Sequence, residues 1–322
     1  MRERARGCLL GLALGDALGA PAENLTPEQI AQRWGRLDAF VADDPAGTDD
    51  TEFAAFAAGL LLEHGAALTA ADAAAAWRRD IVGQREAFRG GGFSTLEAIV
   101  NLERGLQPPH SGRHHHAWSD GLAMRAAVHG VFAAGDPVLA ARLAVAEGSV
   151  DHDGEGLHGG AAVAAGVACA MVGGDARAVA AAALAAIPPD SWTARALTAA
   201  VAAGVAADGP QDLTARLHAA LVTHRYPWTD LAPEAVGLAF GAFVAADGAF
   251  VDSVVGAVNL GRDADTIAAI AGALAGAVGG EDALPADWRA RLGPLRGSCL
   301  RVVAGQDMTE IADALAEASW RR

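Results

Sequence analysis

Two short stretches of the sequence place carboxylates and a threonine directly before an apolar helix. One reads "GTDDTEFAAFAAG" and the other "NLGRDADTIAAIAGALAG". Neither has a Cys or His beside it, and oxygen-only sets suit Mg²⁺, Mn²⁺ or Ca²⁺ better than zinc or copper. Several carboxylates brought together would repel each other without cations between them. The two stretches therefore predict the halves of a two-metal site, made of Thr48, Asp49 and Asp50 on one side and Asp263, Asp265 and Thr266 on the other.

Each cluster taken alone also has a structural interpretation. A threonine or aspartate before a helix caps its first N–H groups, and acidic residues in the first turn favour the helix dipole. For a single "TDDT" this is the better interpretation, because such caps are common. Two clusters that both open glycine- and alanine-rich helices favour the metal site.

The N-terminal stretch "GCLLGLALGDALGAPAEN" contributes two further acids. Asp16 lies within an otherwise apolar helix, where an acid needs a partner. A buried acid bonded to backbone, or a helix cap, explains Asp16 as well as a functional role does. Glu23 follows the break made by Gly19 and Pro21, and a solvated loop is the commoner place for a glutamate.

The composition predicts a helical protein. Of the 322 residues 52% are hydrophobic and only 5% aromatic. Alanine has the best helix propensity, and no stretch alternates apolar and polar residues over the length of a strand. We expect one all-α domain over residues 1–322, a multi-helix orthogonal bundle, with Ser119–Ala134 and Ala286–Arg301 among its helices.

Charge and cysteine usage limit the partners and the compartment. The net charge of −15 disfavours nucleic acids and anionic membranes as partners. The N-terminal run superficially resembles a signal peptide, but Asp16 interrupts it, so we expect a core helix there. Cys8, Cys169 and Cys299 have no ligand spacing and predict reduced thiols in a cytoplasmic protein.

Four histidines lie in the polar tract of residues 105–120, which is the longest loop that the sequence predicts. A histidine-rich loop binds zinc opportunistically, but no regular ligand spacing fixes a geometry here. A solvated loop at the edge of the substrate site is the better interpretation of His110, His114, His115 and His116.

Four segments together make a family resemblance. "GCLLGLALGDALGAPAE", "TDDTEFA", "SDGLAMRAAVHG" and "NLGRDADTIAAIAGALAGAVGG" occur in the order and approximate spacing of the ADP-ribosylglycohydrolase family. The resemblance runs from about Arg4 to Gly280 and implies an all-α fold of that type with two Mg²⁺ or Mn²⁺ ions. It also implies hydrolysis of the glycosidic bond between ADP-ribose and a protein or small-molecule acceptor.

The same resemblance assigns roles to residues. It gives metal binding to the six residues of the two acidic clusters and makes Glu23 the mobile acid that closes over the metals. Glu23, or Asp49 holding a water, would be the general base. Substrate contact falls to a loop, normally Gly-Asn-Gly in this family, and to a histidine that follows the central helix. Here these are Ser119, Asp120, Gly121 and His152.

Departures from the family pattern leave the substrate open. Ser-Asp-Gly replaces Gly-Asn-Gly, and Arg262 stands where a glycine is usual. A second hypothesis keeps the site but gives it a small N-riboside, a nucleoside or O-acetyl-ADP-ribose as substrate. A third makes the protein a non-catalytic ADP-ribose binder, which the complete set of metal ligands disfavours.

Overall fold

The computed structural model describes residues 1–84 and 90–321, and these form helices without a sheet. In this part of the chain the sole β-type pairing is one antiparallel bridge between Ser119 and Leu231. The all-α prediction is therefore confirmed. The helices are α1 (Arg2–Gly19), α2 (Pro27–Trp34), α3 (Asp49–His64), α4 (Ala70–Ala76), α5 (Phe93–Glu103), α6 (Ala127–Phe132), α7 (Pro137–Gly148), α8 (Glu155–Ala170), α9 (Ala176–Ala185), α10 (Trp192–Ala206), α11 (Pro210–Leu221), α12 (Ala232–Ala245), α13 (Phe250–Val258), α14 (Ala264–Gly279), α15 (Ala286–Arg289) and α16 (Met308–Trp320).

The helix predicted over Ser119–Ala134 is shorter in the structure. A single 3₁₀ turn covers Asp120–Leu122, and α6 begins only at Ala127. The N–H of Asp120 donates to the carbonyl of Asp230 at 2.9 Å, a bond to a distant segment that an α-helix would not make. Tertiary hydrogen bonds therefore take the place of helical ones where this segment faces the site.

The helix predicted over Ala286–Arg301 also ends early, at Arg289. The buried Glu52 carboxylate of α3 accepts the N–H groups of Ser298, Cys299 and Leu300 at 2.7–2.8 Å. Those N–H groups are then unavailable to a helix, and the prediction was wrong for the residues that follow Arg289.

Two helices that are far apart in the sequence pack closely against each other. α1 and α14 pack with their glycines in register, and a Cβ built on Gly11 would lie 2.3 Å from the carbonyl oxygen of Gly272. A Cβ on Gly19 would likewise lie 2.5 Å from the Cα of Asp265. Only glycine permits the two backbones to approach so closely. This glycine seam places the N-terminus of α14 against the C-terminal end of α1.

In residues 1–84 and 90–321 no helix is both long enough and apolar enough to cross a bilayer.

The seam predicts a sharp difference between two glycine-to-alanine substitutions. We expect Gly11→Ala to lower the free energy of unfolding by ~2 kcal/mol or more, because a rigid backbone carbonyl faces the added methyl group. Gly59→Ala on the exposed side of α3, where nothing lies within 4 Å of the added atom, should raise it by ~0.5–1 kcal/mol. Urea denaturation of both variants measures the difference in the free energy of unfolding. Equal effects of the two substitutions would contradict the close packing of α1 against α14.

Candidate active site

Asp16 of α1 holds the beginning of α3. It is fully buried, and its carboxylate accepts hydrogen bonds from the N–H groups of Thr48 and Thr51 at 2.8 and 3.1 Å. Both threonine hydroxyls donate to it as well. Asp16 is thus a helix cap supplied by another helix, in keeping with its structural interpretation from the sequence.

The two acidic clusters meet in space. The Thr266 hydroxyl at the start of α14 donates to the Asp50 carboxylate at the start of α3, across 3.1 Å. A pocket of about 370 Å³ lies beside this contact. Its lining includes Glu23, Thr48, Asp49, Asp50, Ser119, Asp120, Gly121, Asp263, Asp265 and Thr266.

The carboxylates of this pocket are crowded and short of hydrogen-bond donors. In the part of the chain that the structure describes, one buried oxygen each of Asp50, Asp120 and Asp265 has no hydrogen-bond partner. Burial, and then the charge of Asp16, raises the pKa of Asp49 and of Asp50 well above the usual range. Burial, and then Asp263, does the same to the pKa of Asp265. Such a set of acids is stabilised by protons or by cations.

The donor chemistry fits divalent cations that prefer oxygen. Orphaned carboxylate oxygens from two helix N-termini, together with two threonine hydroxyls, form an all-oxygen set suited to Mg²⁺ or Mn²⁺. Within residues 1–84 and 90–321, however, no three Asp, Glu, His or Cys side chains already surround one point as ready-made ligands. The carboxylates face a common space without closing on a single ion position.

The opposite wall of the pocket was not identified from the sequence. It includes Gly90–Gly92 with the first turn of α5, and the segment Pro227–Asp230. Within the described residues no side chain caps α5, so N–H groups of its first turn can donate to a ligand. A glycine run followed by Phe-Ser-Thr, and the break at Tyr226–Trp228, were the available sequence signals for this wall.

His152 does not line the pocket, contrary to the role that the resemblance gave it. Its side chain is fully buried, and its Nε2 lies 3.0 Å from the Ser119 hydroxyl. A Cβ built on Gly121 would lie 3.2 Å from that same nitrogen. His152 therefore supports the Ser119–Gly121 loop from behind, and Ser119 is the residue that reaches the pocket.

The histidine-rich loop reaches the rim of the pocket through one residue. The His116 ring stacks on Phe93 at 5.0 Å and meets the edge of Trp228 at 5.5 Å, and both aromatic residues line the pocket. His114 instead contacts the carbonyl of Asp151 at 3.0 Å. The loop thus lies at the edge of the site, as the sequence predicts.

Comparison with known proteins places the chain in a family. The family model for ADP-ribosylglycohydrolase matches residues 1–322. The chain belongs to the ADP-ribosylglycohydrolase family. Members of this family are hydrolases that act on ADP-ribose conjugates.

Two individual proteins are similar over nearly the whole length of the chain. An uncharacterized protein of Archaeoglobus fulgidus is 32% identical over 300 residues, which is 89% of this chain and 91% of the relative. A solved structure of an ADP-ribosylglycohydrolase-related protein complex has a TM-score of 0.69 at 25% identity, covering 99% of this chain and 98% of that chain.

Arg262 is the departure from the ADP-ribosylglycohydrolase pattern that the structure explains best. Its φ of 64° lies in the left-handed region that favours glycine. Its carbonyl accepts from the N–H of Asn24 at 2.7 Å, and its guanidinium donates to the buried Glu234 at 2.5 Å and to the carbonyl of Trp228 at 3.2 Å. The arginine thus ties the Glu23 loop and the Trp228 segment to the start of α14.

The buried acids predict a pH dependence of stability. Burial raises the pKa of Asp16 and of Asp263 to about 6, whereas an unfolded aspartate titrates near ~3.9. Between pH ~4 and about 6 the folded state therefore binds more protons than the unfolded state. The contribution of these two groups to stability is largest below pH ~4 and is lost as the pH rises through about 6. Each unit of raised pKa corresponds to about 1.4 kcal/mol.

We therefore expect the metal-free protein to melt at a higher temperature at about pH 5 than at about pH 7.5. Calorimetry in the presence of a chelator measures the difference. Asp263→Asn should reduce it, because one titrating group is removed. A melting temperature that is flat or rises between the two pH values would contradict the assignment.

Proposed function

We propose that the protein is a metal-dependent hydrolase that cleaves the glycosidic bond between ADP-ribose and an acceptor, either a protein side chain or a small molecule. The observation that carries the proposal is the convergence of Asp49, Asp50, Asp263 and Asp265 on one pocket. Two helix N-termini from opposite ends of the chain supply these acids. Membership of the ADP-ribosylglycohydrolase family supplies the reaction class.

Two Mg²⁺ or Mn²⁺ ions are the cofactors in this proposal. Thr48, Asp49 and Asp50 would hold them from one side, and Asp263, Asp265 and Thr266 from the other. When bound, the cations would offset the carboxylate charge and polarise the ligand oxygens that face them. The orphaned oxygens of Asp50 and Asp265 support this role.

The protein's own carboxylates would perform the proton transfer. Glu23 lies exposed at the mouth of the pocket, where Asn24 donates to it at 2.9 Å, and Asp49 lies inside. Either carboxylate can accept the proton of an attacking water as a general base. The remaining carboxylates would stabilise an oxocarbenium-like sugar, because they place negative charge beside a developing positive one.

The rest of the pocket suits the other parts of ADP-ribose. Free N–H groups at the uncapped N-terminus of α5 can donate to a diphosphate. Ser119, Asp120 and Gly121 lie where they would contact the sugar end of the ligand. In this proposal His152 acts indirectly, by holding Ser119.

The proposal extends to organisation and location. The site takes residues from near both ends of the chain and from its middle, which supports one domain over residues 1–322. Cys8, Cys169 and Cys299 are all free thiols, which supports a cytoplasmic location.

Removing a single charge should test the metal residues. We expect Asp265→Asn to abolish release of ADP-ribose while the helical circular dichroism is retained, because the amide cannot replace an anionic ligand. The exposed Asp190→Asn is the matched control and should keep full activity. Undiminished turnover by Asp265→Asn would overturn the metal role.

Chelation should test the cofactor and the substrate in one experiment. We expect the metal-free protein to release no ADP-ribose, and added Mg²⁺ or Mn²⁺ to restore release. Mass spectrometry of free ADP-ribose from ADP-ribosylated peptides, O-acetyl-ADP-ribose and a simple nucleoside measures this. Turnover that resists chelation would contradict the cofactor, and turnover of the nucleoside alone would contradict ADP-ribose as the ligand.

A further inference from the structure

Three side chains next to the pocket form a line, and the proposed glycosidic cleavage uses none of them for proton transfer. The Ser119 hydroxyl lies 3.0 Å from Nε2 of His152, and Nδ1 of His152 lies 2.9 Å from Oδ1 of Asp151. His152 and Asp151 are fully buried, whereas Ser119 lines the pocket. The Ser119 hydroxyl is within hydrogen-bond reach of a histidine base, as in an activated nucleophile, and the Asp151 carboxylate lies beside the other ring nitrogen, although within the described residues Nδ1 makes no well-aligned hydrogen bond.

The charges around Asp151 determine which ring nitrogen of His152 carries a proton. The buried Arg125 donates to Oδ1 of Asp151 at 2.8 Å and to the Glu147 carboxylate at 3.1 Å. Burial alone would raise the pKa of Asp151, but the positive charge of Arg125 outweighs it and holds that pKa below its usual range. An ionised Asp151 favours a ring proton on Nδ1 of His152. Nε2 is then free to accept the proton of the Ser119 hydroxyl.

Donors for a developing oxyanion lie on the same side of the pocket. The Ser94 hydroxyl accepts from that of Ser119 at 3.0 Å, which leaves its own proton available to a ligand oxygen. Ser94 belongs to the first turn of α5, whose N-terminus has no side-chain cap. Hydroxyl and backbone N–H donors at such a position stabilise a negative oxygen.

We propose that Ser119 is a base-activated nucleophile and that the protein carries a second activity, acyl transfer from small carboxylic esters. The Ser119 oxygen forms a bond to the ester carbonyl carbon as its proton moves to Nε2 of His152. The carbon–alkoxy bond then breaks, and the departing alkoxide takes that proton to leave as the alcohol. Water later cleaves the acyl-serine, which gives the carboxylic acid and restores the Ser119 hydroxyl.

The burial of His152 makes the second half of this reaction slow. The ring has no exposed surface, so its Nε2 reaches the pocket only past the Ser119 oxygen. In the acyl-enzyme that oxygen carries the acyl group, and an incoming water has poor access to the base. The acyl-serine should therefore accumulate, and esters with good leaving groups should be the best substrates.

A serine-directed probe tests the nucleophile directly. The full-length protein, kept in chelator, is treated with a fluorophosphonate, and the site of the adduct is found by peptide mass spectrometry. We expect one adduct per chain on Ser119, and about 100-fold slower labelling of His152→Gln, since general-base assistance is lost. p-Nitrophenyl acetate should give a burst of about one p-nitrophenolate per chain followed by slow turnover.

Matched variants separate this activity from surface reactivity and from glycosidic cleavage. Ser298→Ala and His115→Gln remove an exposed serine and an exposed histidine and should label at the wild-type rate. Labelling in chelator is independent of the proposed metals, so failure of the glycosidic assay leaves this test intact. No adduct on the wild-type protein, an adduct on Ser94 instead, or equal labelling of His152→Gln would overturn the proposal.

Discussion

The close contact between α1 and α14 is the constraint on which the site depends. Gly11 and Gly19 let two backbones meet at distances that no other residue permits, and this contact fixes the N-terminus of α14. Asp16, on the same helix α1, caps α3 with four hydrogen bonds. One helix thus positions both acidic clusters, although more than 200 residues separate them in the sequence.

Rigid positioning matters because the pocket is electrostatically unfavourable. Among the described residues, Asp50 and Asp265 are buried with unpaired oxygens, and burial together with the like charges of neighbouring carboxylates raises the pKa of both. A flexible scaffold would let such carboxylates move apart. Helices packed through glycine keep the carboxylates together. The proposed cations would then stabilise the folded protein, because they neutralise the repulsion between these carboxylates.

The remaining walls explain how this chain differs from the general pattern of its family. Arg262 occupies a backbone conformation suited to glycine, and its side chain and backbone hold the Trp228 segment and the Glu23 loop in place. Ser119 introduces a hydroxyl in contact with a buried histidine. Both departures therefore alter the surface that a ligand meets and leave the acidic helix N-termini intact.

The sequence by itself determined the helical class and the two acidic helix starts, because alanine content, capping residues and glycine spacing are local signals. It also indicated that the two acidic clusters belong to one site, because the segments around Asp49 and Asp265 both resemble motifs of one family. Only the tertiary structure decided that His152 lies behind Ser119, that Pro227–Asp230 lines the pocket, and that residues 290–300 are not helical. These features depend on contacts with distant residues such as Glu52 and Arg262, and no local pattern encodes which distant group will take a given hydrogen bond.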